Sequence, residues 1–327
     1  MPRLKVLSHN IHKGKSALGV RNSLPELSRN LRHIKPDLIF LQEVQGRNDV
    51  NSRLHNQHDI LSNRLQMQAV YGLNSEHPQT DHGNVLLSRY PVIRAENQDV
   101  SDHRLEQRGL LHVLIEVDEC PVHCFVVHLG LFKQSRERQM MAIIDRIQQE
   151  VEPEEPLIIA GDFNDWNEKL ETHLMQSLGI SDVFECCEVR HDAELPKLGF
   201  SPVRMVQQWE RSKVAQDFEK GRVLNTLKAL VTKPQDAAPR TFPAVFPWLR
   251  LDRMYQRGFA VHSAQVLKGK PWTQISDHSP LLVELELLTK HPRKTQQVLE
   301  RMEQRTAVVK MAKANRPSIP PIADVKK

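Results

Sequence analysis

Several short segments of this chain end in acid, amide or imidazole side chains, the groups that bind cations and move protons. They are Leu7-Ser8-His9-Asn10, Ile39-Phe40-Leu41-Gln42-Glu43, Ile158-Ile159-Ala160-Gly161-Asp162-Phe163-Asn164-Asp165 and Thr273 to Ser279, which contains Asp277-His278. Val126-Val127-His128 is a less polar fifth. Reactive groups in layered α/β proteins collect at strand ends. Carboxylates converging there repel one another unless a cation neutralises them. Hard oxygen donors suit Mg²⁺ or Mn²⁺ rather than zinc. Each segment alone has a plainer meaning. Gly161-Asp162 followed by Asn164 reads equally as an Asx-turn, Asp277-His278 as a loop cap, His128 as a core histidine and Glu43 as a surface acid.

The elements that would carry these groups follow from the hydrophobic pattern. Leu4–Ser8 reads as a strand and 9–19 as a polar loop. Leu24, Leu27, Leu31 and Ile34 have helical spacing, and Pro36-Asp37 ends that helix. Leu38–Leu41 is a short apolar strand. Strands are then expected at Val85–Leu87, Gly109–Val117 and Val122–His128, a helix at Arg136–Gln149, and strands at Pro156–Ala160, Val261–Leu267 and Leu281–Leu287. Several strands with few helices between them predict mixed or antiparallel sheets. Residues 206–239 read as a polar, helical insertion, and Lys294–Ala314 as a basic helix with Val298, Met302 and Val309 on one side.

The 327 residues suffice for one large domain, and 39% apolar with 26% charged residues excludes a disordered chain. No apolar run approaches the roughly 18–20 residues of a spanning helix, and no secretory pattern opens the sequence. Cys120, Cys124, Cys186 and Cys187 lack metal-ligand spacing and read as reduced thiols of a cytoplasmic protein. Lys290 to Lys327 holds ten Lys/Arg against three acidic residues, so this tail carries +7 of a net +5 and the rest of the chain about −2. The division expected is 1–290 as the catalytic domain and 291–327 as a basic extension, partly helical or disordered. The extension is expected to be dispensable for folding.

The ordered set of motifs resembles the endonuclease/exonuclease/phosphatase superfamily. The matching positions are Asn10, Gln42-Glu43, Gly83 to Pro91, Arg108-Gly109, Gly161 to Asn164, Arg250-Leu251-Asp252 and Ser276-Asp277-His278. Residues 4 to 287 contain them all. The resemblance implies a four-layered α/β/β/α sandwich with two mixed, mostly antiparallel sheets and a site at the mouth between them. It implies that Glu43 holds Mg²⁺ or Mn²⁺ with Asn10 and Asp277 close by. His278 would contact the scissile phosphate, Asp252 would orient His278, Asp162 would position or deprotonate the attacking water, and Asn164 would donate to a phosphoryl oxygen. His128 stands where the abasic-site branch has Tyr, as in secreted DNases and sphingomyelinases. With His278 it would place two imidazoles on one phosphate, and Arg108 would add a fork of donors. Small bacterial members of the family look similar in His9 to Gly14 and in Arg240 to Pro243.

The function expected is metal-dependent hydrolysis of a phosphodiester by an activated water. The substrate is left open between nucleic acid, which a clustered set among Arg53, Arg64, Arg89, Arg104 and Arg108 would favour, and a lipid headgroup or small phosphoester. Trp248 and Phe246 are candidates for resting on an anionic membrane, as is the tail, with core packing the plainer role for the aromatics. His12 and Lys13 are within reach of an anionic substrate or form a solvated turn. The loops 13–20, 45–58 and 206–239 are expected to set specificity. A binding protein that lost catalysis would lack one of Glu43, Asp162 or His278, and none is missing. Oligomeric state is open.

Overall fold

A computed structural model describes residues 2–103, 106–166, 170–187, 239–288 and 295–314. The expected insertion at 206–239 therefore lies almost wholly outside the described residues. The strands are β1 (Arg3–Asn10), β2 (Leu38–Val44), β3 (Gln68–Glu76), β4 (Asp81–Ser88), β5 (Val92–Asp99), β6 (Gly109–Val117), β7 (Cys120–His128), β8 (Leu157–Asp162), β9 (Ser181–Asp182), β10 (Asp252–Arg257), β11 (Phe259–Val266) and β12 (Leu281–Leu287). The helices are α1 (Leu24–Ile34), α2 (Gln57–Leu65), α3 (Lys133–Glu150), α4 (Glu171–Leu178), the single turn α5 (Trp272–Ile275) and α6 (Thr295–Ala314).

Two six-stranded sheets form, in the orders β11-β12-β1-β2-β4-β3 and β5-β6-β7-β8-β10-β9. Both are mixed and mostly antiparallel, as the sandwich expectation requires. Each contains one parallel pair joined through a helix, β1–α1–β2 and β7–α3–β8. The central strands are buried on both faces, so apolar side chains on alternate faces feed different layers. Val6, Phe40, Leu86, Val113, Val126, Ala160 and Val283 fill the space between the sheets. Leu7, Ile39 and Leu41 pack outward against Leu27 and Leu31 of α1 and Leu61 of α2. Phe125, Val127 and Ile159 pack against Ile143, Ile144 and Ile147 of α3 and Leu174 of α4. The layers are helix, sheet, sheet, helix.

α6 packs on the body, which bears on the expectation that the tail is dispensable for folding. Val298 and Met302 are fully buried against Leu114 on the outer face of the second sheet. Arg301 donates to both carboxylate oxygens of Glu155, at 2.6 and 2.8 Å. Thr295 donates to Glu116, and Arg305 donates to Glu152 at 2.7 Å. The reason is visible in the sequence: three basic or polar residues of the helix meet a body that is itself acidic overall.

Candidate active site

The two parallel pairs place the reactive groups. In a parallel pair both C-termini lie at one edge, so Asn10 and the end of β2 stand together, as do His128 and Asp162. Asn10 is in register with Gln42, His128 with Asp162, and Asp162 also with Asp252 at the start of antiparallel β10. Glu43 sits where the β2–β4 register slips, with a left-handed φ of 53°. That bulge turns its carboxylate away from strand alternation. Gly161 is required before Asp162, because a Cβ there would lie 1.9 Å from the Val127 carbonyl oxygen.

Asp162 is the meeting point. Its Oδ1 accepts from the Asn164 backbone N–H at 2.9 Å. Its Oδ2 accepts from Asn10 Nδ2 at 3.0 Å and lies 3.8 Å from Nε2 of both His128 and His278. Asn10 also reaches Glu43 Oε1, 3.4 Å away. His278 Nδ1 is 2.8 Å from Asp252 Oδ2. Among the described residues, the buried Asp252 Oδ1 has no hydrogen-bond partner. Ser276 Oγ donates to the Asn10 carbonyl at 2.7 Å and so ties the His278 loop to β1. His9 Nε2 lies 3.1 Å from the His278 carbonyl and completes that tie.

The surroundings drive the two imidazoles apart. Burial disfavours charge on His278, but Asp252 and Asp162 more than reverse it and hold the ring protonated well above the usual histidine range. Burial and the neighbouring Arg108 push His128 well below that range, so it is neutral. Burial, helped by Asp252, pushes the Asp162 carboxyl up to about 6, against the pull of His278 and Asn10. Burial also works against Glu43, but the positive field led by Lys13 holds it ionised, far below the ordinary carboxylate range. Opposed shifts in paired groups mark acid and base positions.

Every residue expected at the site stands in or beside this one cleft, with differences in detail. Asn164 adopts a left-handed φ of 49° and donates its Nδ2 to the Leu129 carbonyl at 2.9 Å, which leaves one amide hydrogen for a ligand. Arg108 is steadied by Glu106 at 3.2 Å and by the Gln107 carbonyl at 3.1 Å, and its buried Nε has no partner. Asp277 is partly exposed and lies 3.7 Å from His12 Nδ1. Asn10 accepts the His12 backbone N–H on Oδ1, which fixes its NH₂ toward Glu43 and Asp162. Arg89 does not join the mouth: it bonds the Pro36 carbonyl and the Asp37 backbone, at the end of β2 opposite Glu43. Arg64 bonds Ser28 between α1 and α2. Arg104 lies outside the described residues.

Two contributors escaped the sequence reading. Phe242 lies against the His278 ring, with centroids 4.8 Å apart, and shields it from water. His82 stands beside Glu43 and next to Gly83, which is opposite Val44. The Arg240–Pro243 likeness and the position just before the Gly83 motif were the available signals.

Comparison with known proteins agrees with this geometry. Residues 7–278 match the Endonuclease/Exonuclease/phosphatase family. The chain belongs to that family. The Uncharacterized protein YbhP of Escherichia coli (strain K12) is 31% identical over 292 residues, covering 86% of this chain and 96% of that protein. The fold is shared with an endonuclease/exonuclease/phosphatase family protein from Leptotrichia buccalis C-1013-b, at a TM-score of 0.61 and 14% identity over 87% of this chain and all of that one. It is also shared with the mannosyl-6-phosphatase Bt3783 of Bacteroides thetaiotaomicron VPI-5482, at 0.60 and 14%, over 87% of this chain and 100% of that one. The family's fold and the clustered Asp162, Asp252 and His278 support metal-dependent hydrolysis of the phosphoesterase type. One ligand atom from each of those three lies within 4.8 Å of the others, a set able to hold a divalent ion.

Proposed function

We propose that this protein hydrolyses phosphodiesters with a divalent cation, Mg²⁺ or Mn²⁺. The observation that carries the reading is the convergence of His128 and His278 on one oxygen of Asp162, each at 3.8 Å. Charged His278, held by Asp252, supplies a proton to a phosphoryl or leaving oxygen. Asp162 orients the attacking water and accepts its proton. Asn164, with its remaining amide hydrogen, and Arg108 donate to non-bridging oxygens, where charge builds.

The donor set suits a hard cation, since it is carboxylate-rich and Asp162 is raised by burial and by the neighbouring Asp252. We place the ion chiefly on Glu43, with Asp277 beside it and Asn10 orienting Glu43. The alternative position among Asp162, Asp252 and His278 competes with the 2.8 Å His278–Asp252 contact and with the proton those acids hold on the ring. Among the described residues, Glu43 has no hydrogen bond shorter than 3.4 Å to give up. The bound cation would stabilise negative charge on the phosphate. Mn²⁺ binding followed by electron paramagnetic resonance separates the two positions. Glu43→Gln should abolish it and Asp252→Asn should leave it largely intact; the reverse pattern would move the ion.

The substrate we favour is a lipid or other small phosphodiester rather than duplex nucleic acid. One observation supports this. Leu18, Val20, Val50, Phe132 and Val245 are exposed, and all lie on loops at the strand ends that carry the site. The 18–22 and 50–53 loops are joined by Asn22 Nδ2 donating to the Arg53 carbonyl at 3.1 Å. Ala244, next to Val245, bonds the Asp277 carbonyl at 2.7 Å. Apolar tips around a mouth suit a membrane interface. The cytoplasm is the compartment we propose, supported by four cysteines none of which is in a disulfide. A metal-supplemented screen of plasmid DNA, single-stranded DNA, RNA, phospholipids and sphingomyelin, with His278→Ala as blank, tests the substrate. Selective cleavage of a nucleic acid would reverse the preference.

A further inference from the structure

Among the described residues, nine other than glycine have a positive φ. Lys35 and Gln66 end helices, Asn56 precedes one, and Asp118 and Glu119 make the β6–β7 hairpin. The other four are His12 (48°), Lys13 (57°), Glu43 (53°) and Asn164 (49°), and all lie at the cleft. A side chain held in the left-handed region costs free energy and persists only where its surroundings enforce it. Glu43 and Asn164 have an evident use there. Lys13 does not yet have one.

The Lys13 turn is held from several directions. Asn10 Oδ1 accepts the His12 N–H at 3.1 Å, and Gln57 Nε2 donates to the Lys13 carbonyl at 2.8 Å. Gly14 packs so closely on Gln57 that a Cβ would fall 2.5 Å from Nε2. The Lys13 side chain is half-buried, and among the described residues it makes no ion pair. The same Gln57 side chain accepts the Gln45 backbone N–H on Oε1 at 3.0 Å, and Gln45 follows Val44, which pairs with Gly83, so the Lys13 turn is tied to the stretch of β4 where His82 stands beside the Glu43 bulge. Asn84, two residues on, donates to the Gly109 carbonyl at 3.0 Å and brings Arg108 to the same wall. Lys13 and Arg108 are near enough to His82 to oppose its protonation, and Lys13 is near enough to Glu43 to favour its charge. Glu43 thus faces Lys13 and several imidazoles, with Arg108 near His82.

We propose that Lys13 and His82 form a second anion subsite beside the reaction centre, which takes a second phosphate of the substrate. It rests on the phosphodiesterase reading for its neighbour but not for its own charge. A single diester phosphate, with a cation on Glu43, leaves Lys13 without a counter-charge. A substrate with two phosphates on a short linker supplies one. Lys13 then acts in specificity and His82 as a hydrogen-bond donor to the same group. Loss of backbone strain alone would not reproduce such a preference.

The test is isothermal titration of the full chain with Mn²⁺, in a His278→Ala background to prevent turnover. Glycerol 1-phosphate is compared with glycerol 1,3-bisphosphate, and thymidine 5′-monophosphate with thymidine 3′,5′-bisphosphate. The two pairs separate a lipid-like from a nucleotide-like source. The bisphosphate of at least one pair should bind roughly 10- to 100-fold tighter, the range for added charged hydrogen bonds. Lys13→Asn, chosen because Asn tolerates the left-handed backbone, should reduce that ratio to about threefold or less, and Lys13→Arg should restore most of it. His82→Asn should reduce it partly. Equal binding of mono- and bisphosphates, or a ratio that survives Lys13→Asn, overturns the subsite. Absence of diester hydrolysis by the His278-intact protein, with the ratio intact and Lys13-dependent, would remove the catalytic reading and leave the subsite standing.

Discussion

At the scale of residues, Asp252 governs the charge of His278, and that makes a testable pH profile. Asp162 must be ionised to accept a proton, so activity should rise with pH through about 6. His278 must be protonated, and Asp252 and Asp162 keep it so through neutral pH. In Asp252→Asn the ring loses its principal support, and activity should fall on the alkaline side at a lower pH than in wild type. The maximal rate should drop roughly 10²–10⁴-fold, as for other oriented histidines that lose their carboxylate. An unmoved alkaline limb would show that His278 is not the proton donor. Most of this constellation was legible in the sequence, because Glu43, Asp162 and His278 belong to short motifs in a fixed order. The opposite charge states of His128 and His278 were not, since they depend on which side chains burial brings near each ring. Phe242 and His82 were missed for the same reason: neither stands at the end of an apolar run.

At the scale of elements, α6 and the layer beneath it decide how the tail behaves. Val298 and Met302 each contribute about 1.5–3 kcal/mol by burial. Cutting the chain after Pro292 should therefore lower the melting temperature on the order of 10 °C, while turnover of a small diester below that temperature persists. An unchanged melting curve would contradict the packing of α6. Under that helix His112 Nε2 lies 2.9 Å from His123 Nδ1, and His123 Nε2 lies 3.4 Å from Glu155 Oε2. Burial lowers both rings, further opposed for His112 by His123 and only partly offset for His123 by Glu155. Their folded pKa lies below the unfolded value of about 6.5, so the unfolded chain takes up more protons in acid. Stability from these rings is full above about pH 6.5 and falls as pH drops, by up to about 1.4 kcal/mol per pH unit for each ring. His112→Asn should flatten that acid-side slope in melting experiments between pH 7 and 5. The sequence showed α1, β2, β6, β7, β8 and β12 because each carries a dense apolar pattern. β5 was hidden because Val92–Asp99 is a polar edge strand, and α2 because its apolar residues are few within nine.

At the scale of the molecule, charge and exposed apolar groups point to different partners. Arg301 and Arg305 of the basic tail are paired with Glu155 and Glu152, so less of its charge is free than the composition suggests. Among the described residues, no helix is long and apolar enough to cross a membrane. If the mouth rests on lipid, Leu18→Ser with Val20→Ser should reduce co-sedimentation with phosphatidylglycerol vesicles several-fold and leave hydrolysis of a soluble diester unchanged. Should the pair of changes leave vesicle binding intact, the apolar rim has no part in it. DNA binding, if present, should weaken steeply with salt through counterion release. The most direct test of the whole account is hydrolysis of bis-p-nitrophenyl phosphate by chelator-stripped protein, with Mg²⁺ or Mn²⁺ added back, for wild type, Glu43→Gln and His278→Ala. The account predicts no turnover without metal, recovery on addition, and losses of at least about 10²-fold in both variants. Full turnover in excess chelator, or wild-type rates in either variant, would contradict it.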